Sequence, residues 1–101
     1  MKALKILEEK GKFFEILQTT NNSQIAVMTI KPGGNSGADG KHKGDQIVYV
    51  IEGEGRIEIP EKKLNLKAGE LAVIPEKTDH LVVNTGDSEL FFLTIYAPVE
   101  Y

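Results

Sequence analysis

The 101-residue sequence predicts an all-β domain with a closed architecture. Three observations carry that expectation. Apolar residues recur with a period of two in short runs bounded by turn residues, the signature of half-buried strands. The later runs follow at intervals of roughly 8–12 residues, the spacing of sandwiches and barrels. Helix-like patterning is confined to residues 3–10, and so many short strands without helices must manage their own edges, which closure does.

The elements follow in order. Residues 3–10 read as a short helix ended by Gly11. FFEILQTT (Phe13 to Thr20) and QIAVMTI (Gln24 to Ile30) flank the turn NNS and read as a hairpin. QIVYVIEG and GRIEI meet at Glu52 to Gly55, read as another tight turn; its GEG opens no helix and is no phosphate cradle. Lys62 and Lys63 read as a solvated hairpin tip. LNLKAG, ELAVIP, HLVVNTG and ELFFLTIYAP supply the remaining strands. Pro32, Pro60, Pro75 and Pro98 fall near segment ends, where a missing N–H donor does little damage. No linker and no fixed-period repeat interrupts the chain, so one domain is expected over 1–101.

Composition excludes several function classes. Without cysteine there is no disulfide framework, no zinc–thiolate site and no thiol nucleophile. The net charge of −3, with lysines and glutamates interspersed, offers nucleic acid no basic stripe. MKALKILEEKGK lacks the apolar core of a signal peptide, and no segment approaches a membrane span, so a cytoplasmic protein without membrane partners is expected.

The chemistry rests on two histidines, His42 in GADGKHKGDQIVYV and His80 in IPEKTDHLVVN. A histidine at a strand entrance is ordinarily a solvated or capped side chain. Strand alternation places Gln46, Val48 and Val50 on one face, and His80, Val82 and Asn84 on another. Each face thus carries a polar group at the end of an apolar run, as where a core opens into a mouth. Met28, Phe91, Phe92 and Tyr96 are candidates for a cavity wall, for core or for an interface. Asn84 reads as a residue that ties a loop.

These residues resemble the two motifs of the cupins, G-x5-H-x-H-x3-E-x6-G and G-x5-P-x-G-x2-H-x3-N. Gly69, Pro75, His80 and Asn84 match the second, with Lys77 in place of its glycine. Gly34, His42 and Gly53 match the first, with Gly40 and Gln46 where the motif has histidine and glutamate. The resemblance runs from about Ile25 to the end of the chain and is to small single-domain cupins. It implies a double-stranded β-helix, a jelly-roll β-barrel whose mouth brings both motifs together over residues 25–98. Residues 1–24 would then form an edge strand or a dimer strand, and a homodimer is expected. The family's ligand positions fall on Gly40, His42, Gln46 and His80.

Ligand chemistry narrows what such a site can hold. Two imidazoles suit zinc, nickel, copper or iron. Gln46 brings a neutral carbonyl oxygen in place of a carboxylate, and its amide could alternatively bond His42 or nearby backbone. Non-haem iron oxygenases need a carboxylate beside two histidines. Here that group would have to be Asp39 or Asp45, and Asp45 points away from Gln46 by alternation. The expected metal set is His42, Gln46 and His80, and the expected function is a barrel binding a small molecule at its mouth through a weakly held divalent metal. Two alternatives stand beside it: a metal-dependent isomerase, epimerase or dioxygenase, and a metal-free binding or sensing module.

Overall fold

The computed structural model describes residues 1–37 and 42–101. Its strands are β1 (Phe14–Thr19), β2 (Gln24–Ile30), β3 (Asp45–Glu52), β4 (Glu54–Ile59), β5 (Lys62–Lys67), β6 (Leu71–Ile74), β7 (Leu81–Asn84) and β8 (Leu90–Ala97). The helix expected near the N-terminus is a single 3-10 turn, Ile6–Glu9, with no buried residue. Without an apolar face to dock, four residues cannot propagate an α-helix.

Two antiparallel sheets enclose the core, one in the order β1-β2-β8-β3-β6 and the other β5-β4-β7. The fold is the double-stranded β-helix. Inward positions alternate as the period-two pattern requires: Val48 and Val50 from β3, Leu90 and Phe92 from β8, and Ile57, Leu66 and Val82 from the smaller sheet form one buried cluster. Phe92 is 1% exposed, and truncating it to alanine should cost about 3–5 kcal/mol through lost burial and a residual cavity.

The stretch Glu52–Gly55 is a corner, because β3 and β4 belong to different sheets and do not pair. Gly53 makes it at a φ of 84°, and a Cβ there would lie 2.4 Å from the Glu89 carbonyl oxygen. Period-two patterning identifies strands but not their partners, so the corner looked like an ordinary turn. Lys62 and Lys63 likewise belong to β5; the tip is Pro60 and Glu61, and both lysines remain exposed.

Three tethers bear on the site. Residues 1–24 contribute β1, which pairs with β2 of its own chain and forms a sheet edge. The segment Gly34–Ser36 runs along the free edge of β7, with Asn84 N–H donating to the Gly34 carbonyl at 3.0 Å and Ser36 N–H to Val82 at 2.8 Å. Asn84 also donates its side-chain amide to the carbonyls of Ile30 (2.9 Å) and Ser88 (2.8 Å). Its side chain thus ties β2 to the loop before β8.

Candidate functional site

His42 and His80 are 38 residues apart in the sequence, yet their ring centroids are 4.9 Å apart. Two backbone links bring the motifs together. Lys77 N–H donates to the His42 carbonyl at 2.7 Å, and Glu76 N–H donates to Asp45 Oδ1 at 3.1 Å. Asp45 is exposed and caps that loop, so it supplies no ligand. Asp39 and Gly40 lie outside the described residues.

Beside the histidines is a cavity of about 240 Å³. Phe14, Met28, Phe92, Tyr96 and Tyr101 form its apolar wall, while Gln46, His80 and Thr94 supply polar groups. The described lining residues include no lysine, arginine, aspartate or glutamate. Phe91 faces away from this wall and is fully buried.

Each polar side chain is held in a defined state. His80 is 6% exposed, and its Nδ1 lies 3.0 Å from the Thr78 carbonyl oxygen. A carbonyl only accepts, so Nδ1 carries a proton and Nε2 of the neutral ring is an acceptor. Gln46, 5% exposed at the start of β3, donates its amide nitrogen to Thr94 Oγ1 at 3.0 Å. That bond ties the Gln46 amide to β8. Gln46 Oε1 is buried and meets no donor among the described residues. An unmatched buried acceptor costs about 1–3 kcal/mol, so this oxygen is suited to a ligand's N–H or O–H, or to a cation.

His42 is 5% exposed and packs against His80, against Tyr96 at 5.2 Å and against Tyr101 at 6.0 Å. It stands behind the lining, next to the cavity wall. Its Nδ1 is 3.3 Å from Glu100 Oε2, an ion-pair distance that falls short of an aligned hydrogen bond. Sequence reading missed Glu100, Tyr101 and Thr94. Thr94 was detectable as the polar residue among inward-facing Phe92 and Tyr96. Glu100 and Tyr101 follow Pro98 outside any motif and carried no signal.

Among the described residues, no three His, Cys, Asp or Glu side chains gather closely enough to hold a metal. The candidate set therefore includes an amide, with two imidazoles and Gln46 Oε1 as donors. The unmatched Gln46 oxygen and the acceptor nitrogen of His80 fit a borderline divalent ion such as zinc, nickel or copper.

Comparison with known proteins agrees with this arrangement of strands and motifs. The family model described as "Cupin domain" matches residues 26–96. An "Oxalate-binding protein" of Thermotoga maritima is 34% identical over 72 residues, covering 70% of this chain and 59% of that protein. The chain spans between 52% and 61% of the length of the curated relatives it matches. A solved Bacillus halodurans protein superposes with a TM-score of 0.90 at 26% identity, covering 99% of this chain and 83% of that one. An uncharacterised Klebsiella pneumoniae protein with a double-stranded β-helix domain gives 0.82 at 25% identity, covering 97% and 90%.

Proposed function

The chain belongs to the cupin family, and on that premise we propose that its barrel mouth binds a small molecule with the help of a divalent metal held by His42, His80 and Gln46. The observation that carries this reading is that Gln46 Oε1, buried and without a donor among the described residues, and His80, with its acceptor nitrogen, line one cavity. A bound zinc, nickel, copper or iron ion would supply a Lewis acid and positive charge at that point. The chain's own residues orient the donors, exclude water with Phe14, Phe92 and Tyr96, and leave about 240 Å³ for a compact ligand.

The wall chemistry bears on ligand class. A small dicarboxylate, the class named for the Thermotoga relative, meets no lysine or arginine among the described lining residues. Such an anion would enter this cavity as a metal chelate, because burying its charge unpaired costs several kcal/mol or more. Isomerase, epimerase or dioxygenase chemistry needs an acid–base pair or a facing carboxylate, and the described wall offers His80 and the phenols of Tyr96 and Tyr101 but no carboxylate. Binding is therefore the favoured activity, in a cytoplasmic protein.

Elemental analysis of untagged protein tests the metal directly. Thermal-shift measurements with oxalate, with and without zinc, then test the ligand class. Stabilisation by oxalate only in the presence of zinc is expected. Protein that carries no metal and is not stabilised by zinc would overturn the metal reading; stabilisation by oxalate after chelation would overturn the chelate.

A further inference from the structure

The geometry points to Glu100 as a positioning residue that sets the proton of His42 on Nδ1, so that this ring, like His80, presents Nε2 as an acceptor. Motif position 46 is glutamine in this chain, and the carboxylate comes instead from residue 100, beyond the part of the sequence that the cupin family model matches.

Both oxygens of Glu100 engage the short segment that carries His42. Oε2 lies 3.3 Å from His42 Nδ1, and Oε1 accepts the Lys43 N–H at 3.1 Å. The side chain of Glu100 is 21% exposed and that of His42 6%, so the pair is shielded from water on most sides. The segment bearing the carboxylate is anchored independently. Tyr101 N–H donates to Gln24 Oε1 at 2.8 Å, and its ring meets Phe14 edge-on at 5.3 Å. Gly44 allows the approach: a Cβ there would fall 2.3 Å from both the Ala97 carbonyl oxygen and Pro98 Cδ. Glycine at 44 therefore lets the His42 strand entrance lie against the chain that delivers Glu100.

A carboxylate beside Nδ1 favours the tautomer with the proton on that nitrogen, since an imidazole lone pair there would face negative charge. Thr78 imposes the same state on His80 through its carbonyl. Two rings with centroids 4.9 Å apart are thus held in one protonation pattern by two unrelated groups, a backbone carbonyl and the Glu100 side chain. Outer carboxylates of this kind orient ligating histidines and raise their basicity, and removing one typically weakens metal binding ~10–100-fold.

The affinity arm of the test rests on the metal reading above; the tautomer arm does not. Nitrogen-15 NMR of the metal-free full chain, at a pH where the ring is neutral, reads which nitrogen of His42 carries the proton. The wild type should show Nδ1–H. Glu100→Ala should shift the population toward Nε2–H, and Glu100→Gln, which keeps the shape and a partial negative charge on its amide oxygen but loses the full charge, should shift it less. Zinc affinity by calorimetry should fall ~10–100-fold in Glu100→Ala and less in Glu100→Gln. Melting curves and the His80 tautomer, which should not move, report whether the fold survives. A His42 tautomer identical in wild type and Glu100→Ala, or Nε2–H in the wild type, would overturn the role of Glu100 whatever zinc does. Absence of zinc binding in the wild type, with the tautomer shift present, would overturn the metal reading alone.

Discussion

Lys77 stands where the cupin motif has glycine, and it donates its backbone N–H to the His42 carbonyl at 2.7 Å from a left-handed conformation with φ of 59°. The loop kept the backbone that a glycine would take while losing the glycine. A side chain in that region costs roughly 1 kcal/mol or more, sustained here by the link between the two motif loops. Lys77→Gly should therefore raise stability by up to about 1 kcal/mol, a Tm gain of roughly 4–8 °C per kcal/mol for a domain of this size. Lys77→Val should lower it, because a β-branched residue tolerates positive φ worst. Calorimetric melts of both variants check this; a Tm unchanged by the glycine would mean that the lysine conformation is not strained.

Thr94 holds the amide of Gln46 in register with the cavity through the 3.0 Å bond to its Oγ1. Thr94→Val keeps the shape of the side chain but strands a buried amide donor, at about 1–3 kcal/mol. The freed amide can also rotate its nitrogen toward the imidazoles, so zinc binding should weaken. Gln46→Glu should act in the opposite sense on metal and the same sense on stability. It adds the missing carboxylate, but in metal-free protein it buries a charge beside that threonine. Melting curves with chelator and with zinc separate these effects: the glutamate variant should melt below wild type with chelator and gain more from zinc. Equal zinc shifts in both proteins would exclude residue 46 from the metal.

How far the sequence reaches is visible in particular residues. Val48, Val50, Val82 and Phe92 advertise their inward faces because burial and strand alternation act over a few neighbouring residues. The link between His42 and His80 needed the motif resemblance, since spacing within a strand says nothing about which strand lies beside it. The corner at Gly53 and the carboxylate of Glu100 were illegible for the same reason. Gly53 is fixed by the Glu89 backbone, and Glu100 reaches a residue 57 positions away. Long-range contacts of single side chains leave no periodic trace.

The donor set predicts a metal order. Two imidazoles and one neutral amide oxygen favour copper, nickel and zinc over manganese and magnesium. At a hundredfold excess over its dissociation constant, a bound ion should stabilise the fold by about 2.7 kcal/mol, and His80→Ala should abolish the gain. Thermal shifts with each chloride salt, using untagged protein, check the order; magnesium or manganese outperforming zinc would contradict imidazole ligation.

A final expectation concerns assembly. The outward face of the five-stranded sheet carries two apolar rows set by the strand register: Ile25, Ile95, Ile47 and Val73 in one, and Val27, Leu93, Tyr49 and Leu71 in the other. Between β2 and β6 neither row contains a charge; on β1 the second row ends in Glu15, which pairs with Val27. Burial falls away across the sheet, from Val27 at 0% exposed to Tyr49 at 38%, Val73 at 54% and Leu71 at 55%. Isologous pairing presents the same patch twice, and an uncharged apolar patch meets its copy without like-charge repulsion. A second copy of this chain is thus the occupant that the face suits, and a homodimer joined there is expected in place of one made by exchanging β1, which already pairs with β2 in its own sheet. Light scattering at high micromolar concentration should give twice the chain mass. The double variant Leu71→Glu, Val73→Glu should be monomeric, with zinc affinity unchanged, because both side chains point away from the cavity. Exposed substitutions of this kind usually alter monomer stability by no more than about 0.5 kcal/mol each, so the change in mass is readable on its own. A monomeric wild type would remove the dimer, and a variant that stays dimeric would move the interface to the open edge of β1.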